Sequence, residues 1–173
     1  MTKPASSPRC LLGIEAGGTH TVAIAERGSE HVRHEFGPAN LRLLTDAQLL
    51  RHFRSIARTM PKPESIAIGM AGARADSDRA RIRQAASAVW KNVPCLATND
   101  LETALMAAEP VPNGSTKPET RVLILSGTGS CCFGRRSDGL TAKIGGWGHI
   151  LGDKGSGHEI GLRALKEIGR AHV

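Results

Sequence analysis

The chain opens with three short segments in which apolar residues alternate with polar ones, and each segment closes on glycine. They are CLLGIEAGG from Cys10, HTVAIAERG up to Gly28, and EHVRHEFG up to Gly37. Alternation with a period of two is typical of strands with one buried face, and glycine clusters mark turns. The pattern therefore predicts three consecutive strands in an antiparallel meander.

The pattern then changes to a helical period. Between Thr45 and Met60 the apolar residues recur at the spacing of one helix face, and Pro61 follows. This predicts a helix capped at Thr45 that packs one face against a sheet. Two further strand and helix pairs complete a βββαβαβα order, which predicts an α/β lobe. These pairs comprise a buried strand at 65–72, a helix at 76–90, a short strand at 94–100 and a helix at 101–109.

A second lobe is predicted after a segment rich in Pro, Gly, Ser and Thr. That segment, residues 110–120, predicts a linker between a first lobe at 1–109 and a second at 121–173. Residues 121–136 read as strand, glycine turn and strand, as the chain's opening does. A glycine-punctuated segment and a helix at the chain's end follow. The second lobe is therefore expected to restart the first and to be incomplete.

Net charge, aromatic content and the length of apolar runs limit the classes of binding partner that the sequence predicts. Lysine and arginine total 23 against 16 acidic residues, a net charge of +7, but the arginine clusters are not interleaved with aromatic rings. No nucleic-acid partner is therefore expected, whereas small phosphates suit the charge. No apolar run reaches the roughly 18 residues of a membrane span, and the N-terminus does not look like a signal peptide. We expect no membrane partner and a cytoplasmic location.

The cysteines and histidines show no metal-binding pattern. His31 and His34 lie three apart in a predicted strand and would face opposite sides. The cysteines lack the spacing of a tetrahedral metal site and are expected to be buried thiols. They are Cys10, Cys95, Cys131 and Cys132.

Two glycine turns join successive predicted strands at equivalent places in the two lobes. They are Gly17-Gly18-Thr19 and the segment at 127–130, GTGS. Glycine lets consecutive backbone N–H groups point at an anion, although one such turn alone is more often an ordinary hairpin. Neither is a P-loop, because both join strands and no Lys-Ser/Thr follows. Their repetition favours a phosphate tail held from both lobes.

Two carboxylates and one tryptophan complete the candidate chemistry. Glu15 and Asp100 each end a predicted strand, where a carboxylate can hold Mg²⁺ or accept a hydroxyl proton. The alternative role for Asp100 is the N-cap of the following helix. Trp147 lies among glycines near Asp153, which suits either stacking on a sugar ring or packing of the loop.

Six stretches resemble, in order, the N-acetylglucosamine kinase branch of the BadF/BadG/BcrA/BcrD ATPase family, within the actin-like superfamily. The resemblance implies a ribonuclease H-like lobe followed by the start of a similar lobe. It also implies an ATP-dependent sugar kinase that uses Mg²⁺. The stretches are GIEAGGTHT, GPANL, IAIGMAG, TNDLETAL, VLILSGTGS and GGWGHILGDKGSG.

The resemblance also implies roles for individual residues. Asp100 would be the general base and would contact the sugar, and Glu15 would hold Mg²⁺ directly or through water. The ATP phosphates would be bound by Gly17, Gly18, Thr19, Thr128 and Gly129. The remaining sugar-binding residues would be Asn40, Ser130, Gly146, Trp147, Gly148 and Asp153.

The implied reaction is transfer of the γ-phosphoryl group of ATP to the 6-hydroxyl of N-acetylglucosamine or a related sugar. A homodimer is one possible state of the full-length protein. Residues 167–173 match the translation of a common sequencing adapter, so native sequence is expected to end near Lys166 and this chain alone to be inactive or nearly so. The alternatives are an ATPase that energises a partner enzyme and a non-catalytic sugar-binding module.

Overall fold

The computed structural model describes residues 8–107 and 120–171. The chain divides into two compact units, unit 1 at Met1–Thr103 and unit 2 at Ala104–Val173. The elements are β1 Cys10–Ala16, β2 Thr21–Arg27, β3 Glu30–Phe36, α1 Asp46–Thr59, β4 Ser65–Met70, α2 Asp76–Val89, β5 Cys95–Thr98, α3 Asp100–Ala107, β6 Arg121–Ser126, β7 Ser130–Arg135, β8 Thr141–Gly145 and α4 Gly157–Arg170.

Unit 1 contains a five-stranded sheet in the order β3-β2-β1-β4-β5. The pairs β1–β2 and β2–β3 are antiparallel, whereas β1–β4 and β4–β5 are parallel. The meander, the βββαβαβα order and the α/β class predicted from the sequence are confirmed. Because β1, β4 and β5 run in parallel, their carboxyl ends meet at one edge of the sheet, where such folds bind ligands.

The core of unit 1 lies between one face of the sheet and the helices. On β1 alternate side chains from Cys10 to Ala16 are buried, and α1 contributes Leu49, Phe53 and Ile56. The Phe53 ring packs on Trp90 at the end of α2, with centroids 5.8 Å apart. The predicted cap of α1 is confirmed, because the Thr45 hydroxyl accepts a hydrogen bond from the Gln48 N–H.

Unit 2 contains an antiparallel meander in the order β6-β7-β8. The strand β8 lies inside the glycine-punctuated segment, for which the sequence predicted no helix or strand. Helix α4 is capped by the fully buried Ser156, whose hydroxyl accepts from the Glu159 N–H. Among the described residues of unit 2, the buried apolar side chains are those of Leu105 and Phe133.

Three further predictions concern the linker, membrane spans and the cysteines. The predicted linker at 110–120 lies, except for Thr120, outside the described residues, as do 172 and 173. No helix within the described ranges is long and apolar enough to cross a membrane. The expectation of buried thiols holds for Cys10 alone, because Cys95, Cys131 and Cys132 are half-buried.

Candidate active site

Two carboxylates lie at the edge of the unit 1 sheet where its parallel strands end. Glu15 on β1 pairs with Gly69 on β4, which pairs with Thr98 on β5, and Asp100 begins α3 two residues after Thr98. Partial burial raises the pKa of Glu15 above its usual value, and the negative charge of Asp100 raises it further, against a smaller lowering by His20. The structure therefore brings Glu15 and Asp100 close enough to interact.

Gly69 allows α3 to approach the sheet closely. A Cβ at this position would overlap the Thr103 hydroxyl, would lie 2.7 Å from the Thr103 Cβ, and would lie 3.1 Å from the Asn99 carbonyl oxygen. Any larger residue must therefore push the first turn of α3 away from β4. Because Asp100 belongs to that turn, its position depends on the absence of a side chain at Gly69.

The first turn of α3 is capped by Asn99. The Asn99 side-chain oxygen accepts from the Glu102 N–H at 2.7 Å, and its carbonyl accepts from the Thr103 N–H at 3.2 Å. The alternative role of Asp100 as the N-cap is therefore wrong. Its half-buried carboxylate is not committed to capping α3 and can serve chemistry at the sheet edge.

Glu102 is a residue that the sequence reasoning missed. Its carboxylate accepts from the Thr98 hydroxyl at the end of β5 and from Arg79 of α2 at 3.1 Å. These bonds tie the first turn of α3 to both β5 and α2. The spacing of Asn99 and Glu102 matches a capping signature, so the sequence carried a signal for this turn.

The first glycine turn lies between β1 and β2. The Gly17 N–H donates to the His20 carbonyl at 2.9 Å, which closes the turn. Gly18 and Thr19 are exposed, and the space around the Cα of Gly18 is open. The Thr19 hydroxyl lies 3.1 Å from Nδ1 of His20. The turn thus has the open backbone that an anion requires, at the end of the strand that carries Glu15.

Asn40 lies beside the carboxyl ends of β1 and β4. The following residue, Leu41, donates its N–H to the Ala71 carbonyl at 2.9 Å, and the Ala71 N–H donates to the Ala16 carbonyl at 2.8 Å. The Asn40 side-chain oxygen accepts from the Arg42 N–H at 3.0 Å. Within unit 1, the predicted residues Glu15, Gly17, Asn40 and Asp100 therefore share one edge of the sheet.

The second glycine turn is braced from the segment before α4. The Ser130 N–H donates to Oδ1 of Asp153 at 3.2 Å, and its hydroxyl donates to the Lys154 carbonyl at 2.8 Å. A Cβ at Gly129 would lie 2.9 Å from Oδ2 of Asp153, so only glycine lets this carboxylate approach so closely. Thr128 at the tip of the turn is exposed. The structure thus assembles the turn and Asp153 in one place.

The segment around Trp147 lies beside the second glycine turn in unit 2. Gly146 and Gly148 have φ of +69° and +82°, values that favour glycine. The Gly146 N–H donates to the Ser130 carbonyl at 3.0 Å. The Trp147 side chain is 74% exposed, which contradicts the alternative that it packs the loop.

The donor set of unit 1 fits a cation that keeps most of its own water. Among the described residues, no group of three or more His, Cys, Asp or Glu side chains could enclose a metal ion. Mg²⁺ is usually bound by one or two carboxylates together with waters and substrate phosphates. Glu15, partly desolvated and next to Asp100 and a glycine turn, is consistent with that chemistry.

Comparisons with known proteins find curated relatives that are N-acetylglucosamine kinases. The chain is 31% identical over 166 residues to the N-acetylmuramic acid/N-acetylglucosamine kinase of Clostridium acetobutylicum, covering 90% of this chain and 52% of that protein. It is 27% identical to the N-acetyl-D-glucosamine kinase of Dictyostelium discoideum, covering 95% and 56%. No protein-family model matches the chain.

A solved structure supports the fold. A candidate N-acetylglucosamine kinase from Porphyromonas gingivalis superimposes with a TM-score of 0.70 at 16% identity, covering 94% of this chain and 57% of that one. The chain thus spans about half the length of the curated relatives it matches. The resemblance to N-acetylglucosamine kinases that the sequence motifs predicted is confirmed by these relatives.

Proposed function

We propose that this chain contributes to an ATP-dependent amino-sugar kinase that phosphorylates the 6-hydroxyl of N-acetylglucosamine or a related sugar. The observation that carries the proposal is the interacting pair Glu15 and Asp100, next to an open glycine turn at the carboxyl ends of parallel strands. The names of the curated relatives favour the amino sugar as the acceptor. Phosphoryl transfer depends mainly on positioning and charge stabilisation, which such a site can supply.

Asp100 is the proposed general base. Its carboxylate would accept the proton of the sugar 6-hydroxyl as that oxygen forms a bond to the γ-phosphorus. The bond from the γ-phosphorus to the bridging oxygen breaks at the same time, and ADP leaves. Asn99 caps α3 and Glu102 ties its first turn to neighbouring elements, so Asp100 stands on a braced helix terminus with its carboxylate available for the proton.

Glu15 is the proposed residue that holds Mg²⁺, directly or through water. A half-buried carboxylate beside a second one is electrostatically unfavourable, and a bound cation would offset the repulsion. When bound, Mg²⁺ would neutralise negative charge on the β- and γ-phosphates. Glu15 would thus orient the nucleotide's phosphate end relative to Asp100.

The proposed phosphate ligands are backbone N–H groups of the two glycine turns with the hydroxyls of Thr19 and Thr128. Both threonines and Gly18 are exposed, as a ligand-binding role requires. Trp147 would stack its exposed indole on the sugar ring, and Asp153 would accept from sugar hydroxyls. The other proposed sugar contacts are Asn40, Ser130, Gly146 and Gly148.

The test measures ADP formation by the complete gene product with and without N-acetylglucosamine. We expect sugar-dependent turnover that falls about 10²–10⁴-fold in Asp100→Asn. The control is Asp76→Asn, which changes an exposed carboxylate of the same unit and should leave turnover unchanged. ADP formation that ignores the sugar would favour the ATPase that energises a partner. Calorimetric sugar binding without turnover would favour a binding module.

A further inference from the structure

We infer that Arg42 and Asp78 form a clamp that positions Asn40 and thereby sets the affinity for the amino sugar. The inference rests on the proposed function, because it assumes that Asn40 contacts the sugar. It adds two positioning residues that lie outside the motifs of the sequence. The clamp connects the segment at 37–44, here called the Asn40 loop, to the start of α2.

The side chain of Asn40 is held by the residue two positions after it. Its Oδ1 accepts from the Arg42 N–H at 3.0 Å, so the side-chain amino group is the end that can donate to a ligand oxygen. Gly72, with φ of +84°, leaves room for this arrangement, because a Cβ there would overlap Oδ1 of Asn40. The orientation of Asn40 is therefore fixed by Arg42 and by the loop after β4.

Arg42 is in turn fixed by two acceptors on neighbouring segments. Its Nε donates to the Gly72 carbonyl at 3.0 Å, and its Nη2 donates to Oδ2 of Asp78 at 2.5 Å. A guanidinium with two fixed acceptors has little freedom, because its donors are coplanar. These two bonds restrain Arg42, whose backbone N–H holds Asn40.

Asp78 is built into the start of α2. Its Oδ2 also accepts from the N–H groups of Arg74 and Ala75, at 2.9 and 3.0 Å. These backbone bonds, together with the nearby charges of Arg42 and Arg81, lower the pKa of Asp78 despite its burial. The carboxylate therefore stays charged and gives Arg42 a fixed anchor.

Other hydrogen bonds, which do not involve Arg42, hold the rest of the Asn40 loop. Arg81 of α2 donates to the carbonyls of Leu41 and Leu44 at 3.0 and 2.6 Å, and the Ala39 N–H donates to the Gly17 carbonyl at 3.0 Å. These bonds keep the loop attached when Arg42 is changed. The Arg42 side chain is 51% exposed and outside the buried core, so its loss should alter the aim of Asn40 more than the stability of unit 1.

The first test compares kinetics of the complete gene product. Arg42→Gln should raise KM for N-acetylglucosamine about tenfold or more, with KM for ATP unchanged, since misplacing one substrate contact weakens binding of that substrate. Arg42→Lys should raise KM for the sugar less than Arg42→Gln does, because the lysine ammonium can reach Asp78 but cannot present two fixed donors. The matched control is Arg33→Gln, whose arginine is 52% exposed and bonded to Glu35.

The second test needs no turnover. In the Arg42→Gln variant of the 173-residue chain, amide hydrogen exchange at position 42 and its neighbours should become at least about tenfold faster than in wild type. The Arg33→Gln control should leave exchange at these positions unchanged. Unchanged exchange overturns the clamp, and faster exchange with unchanged KM for the sugar overturns its role in affinity. Failure of the proposed function has a different signature, which is wild-type protein that forms no ADP in response to the sugar.

Discussion

The two units contain the same supersecondary structure, but its apolar side chains are buried to different degrees in each. Each has an antiparallel three-stranded meander whose first two strands are joined by a glycine turn. In unit 1 the inner face of β1 is buried, and Ile14 is 1% exposed. In unit 2 the side chains of Ile124 and Ile144 are 79% and 75% exposed. The same local sequence pattern is thus compatible with opposite degrees of burial.

The difference comes from the elements that succeed each meander along the chain. Unit 1 continues with β4 and β5, which widen the sheet, and with α1 and α2, whose apolar side chains cover it. In unit 2 the apolar side chains of α4, among them Ile160 and Leu165, are exposed. Burial of apolar area is the main source of folding free energy. The stability of this chain therefore resides in unit 1.

The largest effect tests this assignment with the same substitution in both meanders. Ile14→Ala should lower the free energy of unfolding by about 2–5 kcal/mol, because it leaves a cavity in a packed core. Ile124→Ala should change it by less than about 0.5 kcal/mol, as is usual for exposed positions. Urea unfolding followed by circular dichroism measures both. A cost at Ile124 comparable with that at Ile14 would show that the unit 2 face is covered in solution.

An intermediate effect concerns glycines that the two units use differently. Gly69→Ala should destabilise the chain by about 1–3 kcal/mol, because the new methyl group overlaps Thr103 and displaces the first turn of α3. Gly161 in α4 has open space around it, so Gly161→Ala should be neutral or should stabilise that helix by up to about 1 kcal/mol. Thermal unfolding of the two variants compares them.

The same substitution also bears on the candidate site. In the complete gene product, Gly69→Ala should lower sugar-dependent turnover, since α3 carries Asp100. The double variant Gly69→Ala with Thr103→Ala should recover part of the stability, because the overlapping hydroxyl is gone. If Gly69→Ala left both stability and turnover unchanged, the close approach of α3 to β4 would not be a requirement of the site.

Sequence periodicity predicted the elements of unit 1 well because local and tertiary preferences agree there. The alternation on β1, the cap at Thr45 and the proline after Met60 all correspond to observed boundaries. The strand β8 was missed because glycines at 145, 146 and 148 disguise the end of a short strand. Residues 110–120 were predicted as a linker, and that prediction stays untested.

The site was predictable only in part. Glycine turns and strand-end carboxylates are visible in the sequence, so Glu15, Gly17 and Asp100 could be proposed before the fold was known. The partners Arg42 and Asp78 are 36 positions apart and join through a fold contact that no local spacing encodes. Asp100 was also given an N-cap alternative, although the spacing of Asn99 and Glu102 already matched a capping signature.

The smallest expected effect is a change in unfolding temperature caused by the partial burial of Glu15 at the sheet edge of unit 1. Glu15 has a raised pKa in the folded chain, first through burial and then through Asp100. Because the pKa of Glu15 is higher in the folded than in the unfolded chain, protonated Glu15 favours the folded state. This contribution to the free energy of unfolding is fully present below the unfolded pKa, about 4.3, and is lost as the pH rises through the folded pKa. Glu15→Gln removes that loss, so the variant should unfold at a slightly higher temperature than wild type at neutral pH.

The control for Glu15 has the opposite sign. Glu35 on the exposed strand β3 accepts from Arg33, which lowers its pKa in the folded chain. Its stabilising contribution is present above the unfolded pKa and is lost as the pH falls through the folded value. From pH 4 to 7, the difference in midpoint temperature between variant and wild type should therefore grow more positive for Glu15→Gln and more negative for Glu35→Gln. Parallel trends would show that burial at the sheet edge of unit 1 does not govern Glu15.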